Sequence, residues 1–580
     1  MTSGFNLQLL VTFSDIFDEE PKDLKTYLTG IERSDILNLG TFLLGFKTLD
    51  SKYINYEILM REFFCDANKE FAEKVILKLK KLQYKENIDL NIINHYTILQ
   101  LFEFCFDNIK DKFSQTEAET QINIFKSILL LNERINEKQN ITEDFRENKD
   151  NLLSLARLSV TLSFPYSDII NYDKKEILAT QFIKSIFFFE FLESNSESNA
   201  LLIEFLNHFK TLDWKSYLRT LSNIALAVIK NPNEGHTNIA ISKDENFEST
   251  CNFLENLIVN DTDIIKDYDF IKIRSKPFYK LNDGVYGIIY GLFVLELIHK
   301  GVFFKILEIH KKNKCEYKIK NFRSYYCFEF SEKYLLYKLL KSIYCNRYIK
   351  YTGEQIANMG IEAEPDYYIR NGKNIFLFES KDIFIGASIK SSFDYELYEL
   401  ELKKKLYFED NKREKNNKAV LQLINNTNRI LTKYFHFDTN YKTNLINIYP
   451  ILILHDHQFN LAGFNVIVNS WFQLELEKLK ENGIFIDNVK PLVIIDIDTL
   501  ILHQDLFRER KLKLKDILDY YFKFININKK SKNLDVGNLK RFSERELISF
   551  PLYISKYVNE KKIRCVPKML TEKGITLFSD

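Results

Sequence analysis

Asp366, Glu379 and Lys381 have the residue types and the spacing to activate a water beside a phosphate. They lie in "EPDYYIRNGKNIFLFESKD", residues 364–382. "PDYYI" and "NIFLFESK" read as two strands joined by the turn "RNGK". Side chains alternate along a strand, so Ile375, Leu377, Glu379 and Lys381 share one face. Phe376, Phe378 and Ser380 share the other. Asp366, near the start of the first strand, falls opposite that end. Two carboxylates and one ammonium then converge at a sheet edge. Hard oxygen ligands suit Mg²⁺ (or Mn²⁺), which keeps several waters and takes one or two protein carboxylates plus substrate phosphate oxygens. Asp366 and Glu379 would hold the ion, which lowers the pKa of a water and offsets charge developing on phosphorus. Lys381 would orient that water or stabilise the developing charge.

The pattern Pro365-Asp366, with Glu379-Ser380-Lys381 thirteen positions on from Asp366, resembles the PD-(D/E)XK nuclease superfamily. Glu-x-Lys alone recurs at 147–149, 401–403 and 560–562, but there it does not end an apolar strand preceded by a Pro-Asp hairpin. The resemblance spans roughly residues 330–500 and implies metal-dependent hydrolysis of phosphodiester bonds. It further implies the backbone carbonyl of Ser380 as a metal ligand. An acidic residue on the first helix would complete the metal shell, and a Gln on the helix after the motif strand would position water or phosphate. Glu332 precedes Leu335, Leu336 and Leu339 by three, four and seven residues and shares their helix face; Glu329 is the alternative in a neighbouring frame. Gln422 starts a polar stripe with Asn425, Asn426 and Arg429, opposite Val420, Ile424, Thr427 and Leu431. Nuclease domains fused to large helical regions also resemble restriction or phage-defence effectors. The rival reading is a non-catalytic nucleic-acid-binding or scaffold protein that keeps the fold; the intact Asp, Glu and Lys weigh against it.

Two further constellations compete. His455-Asp456-His457 ends an expected strand, but neighbours on a strand face opposite ways and do not easily share an ion. Asp496-Ile497-Asp498-Thr499 resembles the nucleophile motif of haloacid-dehalogenase-type phosphatases. Those enzymes usually carry a long α/β domain after the motif, whereas 80 residues follow Leu500 here. No Gly-rich phosphate loop with a following Lys-Ser/Thr is visible.

These residues need a scaffold, and the hydrophobic periodicity supplies one. Residues 1–265 read as a helical domain: Ile92, Tyr96, Leu99, Phe102, Phe106 and Ile109 recur at three and four, as do Trp214, Tyr217, Leu221, Ile224 and Val228 behind a capping Asp213. "NPNEGHTN" at 231–238 is the clearest break. Residues 266–330 read as a strand-containing bridge around the turn Asn282-Asp283-Gly284. Residues 331–580 read as an α/β nuclease domain with a C-terminal extension, its helix starting at Ser331. Strands are expected near 347–351, 365–369 and 374–381, a helix at 418–433, a strand at 446–454, a helix at 466–480 and a strand at 491–497. The expected fold is thus a mainly α amino-terminal region plus an α-β-β-β-α-β core, a mixed sheet flanked by helices. The basic run 402–418 reads as a loop able to follow a nucleic-acid backbone.

Bulk properties agree with an intracellular reading. At 580 residues, more than one core is expected. The seven cysteines are scattered without a CxxC pair, which points to a reduced, cytoplasmic protein. The most apolar stretch, "VYGIIYGLFVLELI", is too short to span a bilayer, so no membrane is expected. Charge is uneven. Residues 331–580 hold 40 basic and 32 acidic side chains, and the rest of the chain carries a net −7. The basic half favours a nucleic-acid partner, DNA ahead of RNA. The helical region would oligomerise the chain or bind a partner protein.

Overall fold

The computed structural model describes residues 8–45, 55–108, 114–139, 151–170, 172–230, 238–260, 267–313, 317–345, 347–411, 414–525, 545–563 and 566–578. The 231–237 break and the 147–149 recurrence lie outside them. The architecture is mainly helical, with a mixed sheet at its centre. Its strands are β1 (Ile349–Thr352), β2 (Tyr367–Asn371), β3 (Asn374–Lys381), β4 (Asn447–Leu454) and β5 (Val493–Asp496), in the order β5-β4-β3-β2-β1. β1, β2 and β3 form an antiparallel meander; β3, β4 and β5 run parallel. Gly372, at φ +59°, opens the two-residue turn from β2 to β3, the position where hairpins of that type require glycine.

Strand parity divides the sheet's two faces between two cores. Ile375, Leu377, Ile448, Leu452 and Leu454 face a front core. There they meet α1 (Asn151–Ser163), α3 (Ala419–Leu431) and α4 (Phe464–Glu481). Phe376, Phe378, Tyr449, Ile451 and Ile453 face a larger back core. It is shared with α2 (Lys174–Ser194) and α5 (Ile497–Arg508), and with a helix in three consecutive pieces, Phe322–Tyr325, a π-helical Tyr326–Leu336 and Tyr337–Ile343. α3 links β3 to β4 and α4 links β4 to β5. Both are crossovers that a parallel pair demands.

The apolar spacing explains α3: Val420, Leu423, Ile424, Thr427 and Ile430 are all buried. It also explains the helix at Trp214–Lys230, where Asp213 accepts a hydrogen bond from the Ser216 N–H at 2.8 Å. In two places the sequence reading needs correction. The helix expected to start at Ser331 starts at Phe322, where Asn321 caps the Ser324 N–H. Tyr326 and Phe330 keep the helical face apolar and buried through Ser331, so no break occurs there. The run 402–418 is not a loop. It finishes the helix Tyr395–Leu406 and then forms the hairpin Phe408–Asn411 with Glu414–Asn417. Lys403 and Lys405 pair with Glu399 and Glu401 one turn back, so charge that looked basic in sequence is partly balanced.

The three sequence segments share one interior. The strand Asn238–Ala240 pairs with Val285–Ile288 of the Asn282-Asp283-Gly284 hairpin. α1 packs on the front of the sheet. A buried ionic network crosses all three segments: Asp168 meets Arg274 and Lys390, each at 2.9 Å, Arg274 meets Glu296 at 3.1 Å, and Lys300 meets Asp456 at 3.0 Å. Buried charges persist when paired in this way. Among the described residues, no helix is long and apolar enough to cross a membrane.

Candidate active site at the end of strand β3

β3 outruns its neighbour β2. Pairing with β2 ends where Phe378 meets Tyr367, whereas pairing with β4 continues to Lys381 opposite Leu454. The Ser380 N–H therefore has no ladder acceptor on the β2 side, and it donates instead to Asp366 Oδ2 at 2.6 Å. A buried donor must find a partner, and here a carboxylate stands in for the strand that has stopped. Asp366 is thus fixed beside Glu379 by backbone geometry as well as by charge.

Glu379 is fully buried. Its Oε1 accepts from Lys381 Nζ at 2.6 Å, and its Oε2 has no partner. Burial first, then the neighbouring Asp366 carboxylate, pushes Glu379 up to about 8. Burial also raises Asp366, against the pull of the Lys381 ammonium and the Ser380 N–H. Desolvation works against the Lys381 ammonium, but Glu379 and Asp366 outweigh it and hold the group charged. Glu332 projects to this site from the π-helical stretch. Its Oε1 accepts from the Tyr337 hydroxyl at 3.0 Å, and burial together with Asp366 pushes it up to about 8. Three carboxyl groups therefore influence one another around one ammonium. Among the described residues, no three His, Cys, Asp or Glu side chains gather closely enough to hold an ion by themselves.

Gln422 lies in the first turn of α3, which packs against β3, and its buried Oε1 has no partner. The expected polar stripe splits beyond it. Asn425 is exposed, but Asn426 is fully buried and receives Arg429, whose Nη1 also donates to the Ala363 carbonyl at 2.8 Å. Glu329 pairs with Lys333 at 3.3 Å.

The competing constellations come apart. His455 bonds Ser380 Oγ, Asp456 pairs with Lys300, and His457 Nε2 reaches the Asp168 carbonyl at 3.2 Å. Asp496 caps α5 by accepting the Thr499 N–H at 2.7 Å, and Asp498 pairs with Lys184 at 2.8 Å. Both aspartates are committed to structural partners.

Several contributors have no motif. Asp382, the last charge of the opening stretch, accepts from Arg323 and from the Ser331 hydroxyl, each at 2.7 Å, which anchors the chain just past Lys381. Burial raises Asp382, but Arg323 outweighs it and holds the carboxyl below its usual range. Gly353 lets β1 and β2 close on the site. Its N–H donates to the Asp366 carbonyl at 2.8 Å, and a Cβ there would lie 3.1 Å from the Pro365 carbonyl oxygen and 3.3 Å from both Asp366 Cα and the Tyr337 hydroxyl. Gly353→Ala is therefore expected to cost about 1–3 kcal/mol through crowding. A thermal melt checks this; an unchanged Tm would show that the Asp366 backbone has room to move.

Compared with known proteins, the chain matches no family model, no curated protein and no solved structure.

Proposed function

We propose that the protein is a divalent-metal-dependent nuclease of the PD-(D/E)XK type, hydrolysing phosphodiester bonds of nucleic acid, DNA ahead of RNA. The observation that carries this reading is the pairing of two carboxylates, Asp366 and Glu379, at the end of an apolar strand beside a charged lysine. The unpartnered, buried Glu379 Oε2 supports it further. A buried carboxylate oxygen with no donor is costly, and a cation would satisfy it. The donor set fits a hard ion: carboxylate oxygens of Asp366 and Glu379, with the Ser380 carbonyl and Glu332 at hand. Mg²⁺ needs no more than one or two of these carboxylates, the rest being waters and substrate phosphate.

When bound, the ion would polarise a phosphate oxygen and make a water more acidic. The protein's own groups do the rest. The Ser380 N–H holds Asp366 in place. Glu379 keeps Lys381 charged, and Lys381 orients the attacking water or meets the negative charge that grows on the phosphoryl oxygens. Gln422 offers an unpaired carbonyl oxygen that can accept from a water. The basic balance of residues 331–580 supports a phosphate-rich substrate, and the helical half serves for self-association or partner binding. The test is incubation of purified protein with plasmid, linear DNA and RNA. Cleavage is expected with Mg²⁺ or Mn²⁺ and is expected to stop with EDTA; full cleavage persisting in EDTA would exclude this chemistry.

A further inference from the structure

The motif strand has a back as well as a front. Glu379 and Lys381 face the front, whereas Ser380 faces the back core, where its Oγ lies 2.8 Å from His455 Nε2. Ser380 is 8 % exposed. His455 is the residue that follows β4, directly beyond the last rung between β3 and β4, Leu454 with Lys381. One residue thus makes two bonds in opposite directions. The Ser380 N–H holds the Asp366 carboxylate across the end of β2, and its side chain is held by His455 beneath the sheet.

This arrangement has a mechanical consequence. Beyond Phe378 the strand loses its β2 neighbour, so its rotation is resisted by the β4 ladder, the Ser380 N–H bond to Asp366 and the anchor at Asp382. Rotating the strand about its axis would swing Glu379 and Lys381 away from Asp366 together. The bond between Ser380 Oγ and His455 Nε2 adds to that resistance from beneath the sheet. Asp382, Lys184, Asp498 and Arg323 all act on the ring electrostatically. Lys184 belongs to α2 of the amino-terminal half, and Asp498 to α5. Asp498 of the Asp-Ile-Asp motif therefore acts on His455 of the His-Asp-His motif through its charge.

We propose that His455 is a positioning residue of the site, acting through Ser380 to fix the strand end that presents Glu379 and Lys381 and holds Asp366. The proposal rests on the nuclease reading for its catalytic consequence, though not for its structural one. Groups that orient a metal's ligands are commonly worth about 10–100-fold in affinity or activity.

The test uses the full chain with His455→Ala, His455→Gln, Ser380→Ala and the double variant His455→Ala/Ser380→Ala. A glutamine amide can reach the position of Nε2, so His455→Gln is the conservative rescue. Three quantities are read: cleavage rate, Mg²⁺ affinity by calorimetry, and hydrogen exchange of the 374–384 segment. His455→Ala is expected to lower cleavage and Mg²⁺ affinity about 10–100-fold and to deprotect the Ser380 amide. His455→Gln should restore all three, and the double variant should be no worse than the worse single one. The proposal is overturned if His455→Ala leaves exchange at Ser380 unchanged, or if the losses in the double variant simply add. If His455→Ala fails to fold, Ser380→Ala and His455→Gln decide: full Mg²⁺ affinity and unchanged exchange in Ser380→Ala also overturn it. If the wild-type chain neither cleaves nor binds Mg²⁺, the nuclease reading falls, and hydrogen exchange alone judges the positioning role.

Discussion

Lys381→Ala is expected to abolish cleavage, by about 10²–10⁴-fold, while the protein remains folded. Its ammonium is a cation whose charge the Glu379 and Asp366 carboxylates jointly sustain. It is partly exposed, at 23 % of its side chain, so it can meet a substrate without unfolding the strand end. Removing one partner of a buried ion pair usually destabilises strongly because a bare charge remains. Glu379 avoids that outcome. With its pKa raised to about 8 it already holds a proton at neutral pH, and loss of the ammonium, which pulls that pKa down, leaves it neutral over a wider range. The melting temperature of the metal-free variant should therefore change little. Lys403→Ala is the control, since Lys403 sits on a helix face paired with Glu399, remote in sequence from the motif. The measurement is cleavage rate beside thermal melts with and without Mg²⁺. Normal cutting by Lys381→Ala would remove the lysine from the chemistry and the nuclease assignment with it.

Much of the sheet is legible in the sequence because its signals are local. Phe376 and Leu377 alternate cleanly to opposite cores, and Asn447–Leu454 is buried along nearly its whole length, as a strand with parallel neighbours on both sides demands. Asp366 and Glu379 come together because hairpin register fixes which residues face each other. Other features depend on partners distant in the chain. Ser331 looks like a helix cap because serine favours that role, yet its hydroxyl serves Asp382, fifty-one residues away. The Ser380–His455 bond spans 75 residues and becomes visible only when β3 and β4 are laid side by side. Asn426 reads as surface because asparagine usually is; its bond with Arg429 keeps it in the core. The shared interior of the amino-terminal and α/β halves is equally non-local. Lys184 reaches Asp498, and Asp168 reaches Lys390, with no spacing rule to announce either pair.

Glu379→Gln is expected to abolish Mg²⁺ binding and cleavage and, at the same time, to stabilise the metal-free protein at alkaline pH. Glu379 has a folded-state pKa near 8 against an ordinary 4.5. Between those values the native state holds a proton that the unfolded chain has released. Its stabilising contribution is therefore fully present below about pH 4.5 and is lost as pH rises through 8. Glu332, also raised to about 8, adds a contribution of the same sign. Metal-free wild-type protein should melt progressively lower from pH 5 to pH 9. Glutamine fixes the side chain in a neutral form, so Glu379→Gln should flatten that decline. A cation is expected to reverse the wild-type trend, because it would bind the ionised carboxyl with release of a proton. The rise in Tm on adding Mg²⁺ should thus grow with pH in the wild type and vanish in Glu379→Gln. Asp366→Ala should behave differently: it leaves the Ser380 N–H without its acceptor, and the metal-free protein should lose about 1–3 kcal/mol. Melting curves across this pH range, with and without Mg²⁺, decide the matter. A Glu379→Gln profile that tracks the wild type in both conditions would mean that the buried carboxyl neither carries the extra proton nor meets a metal.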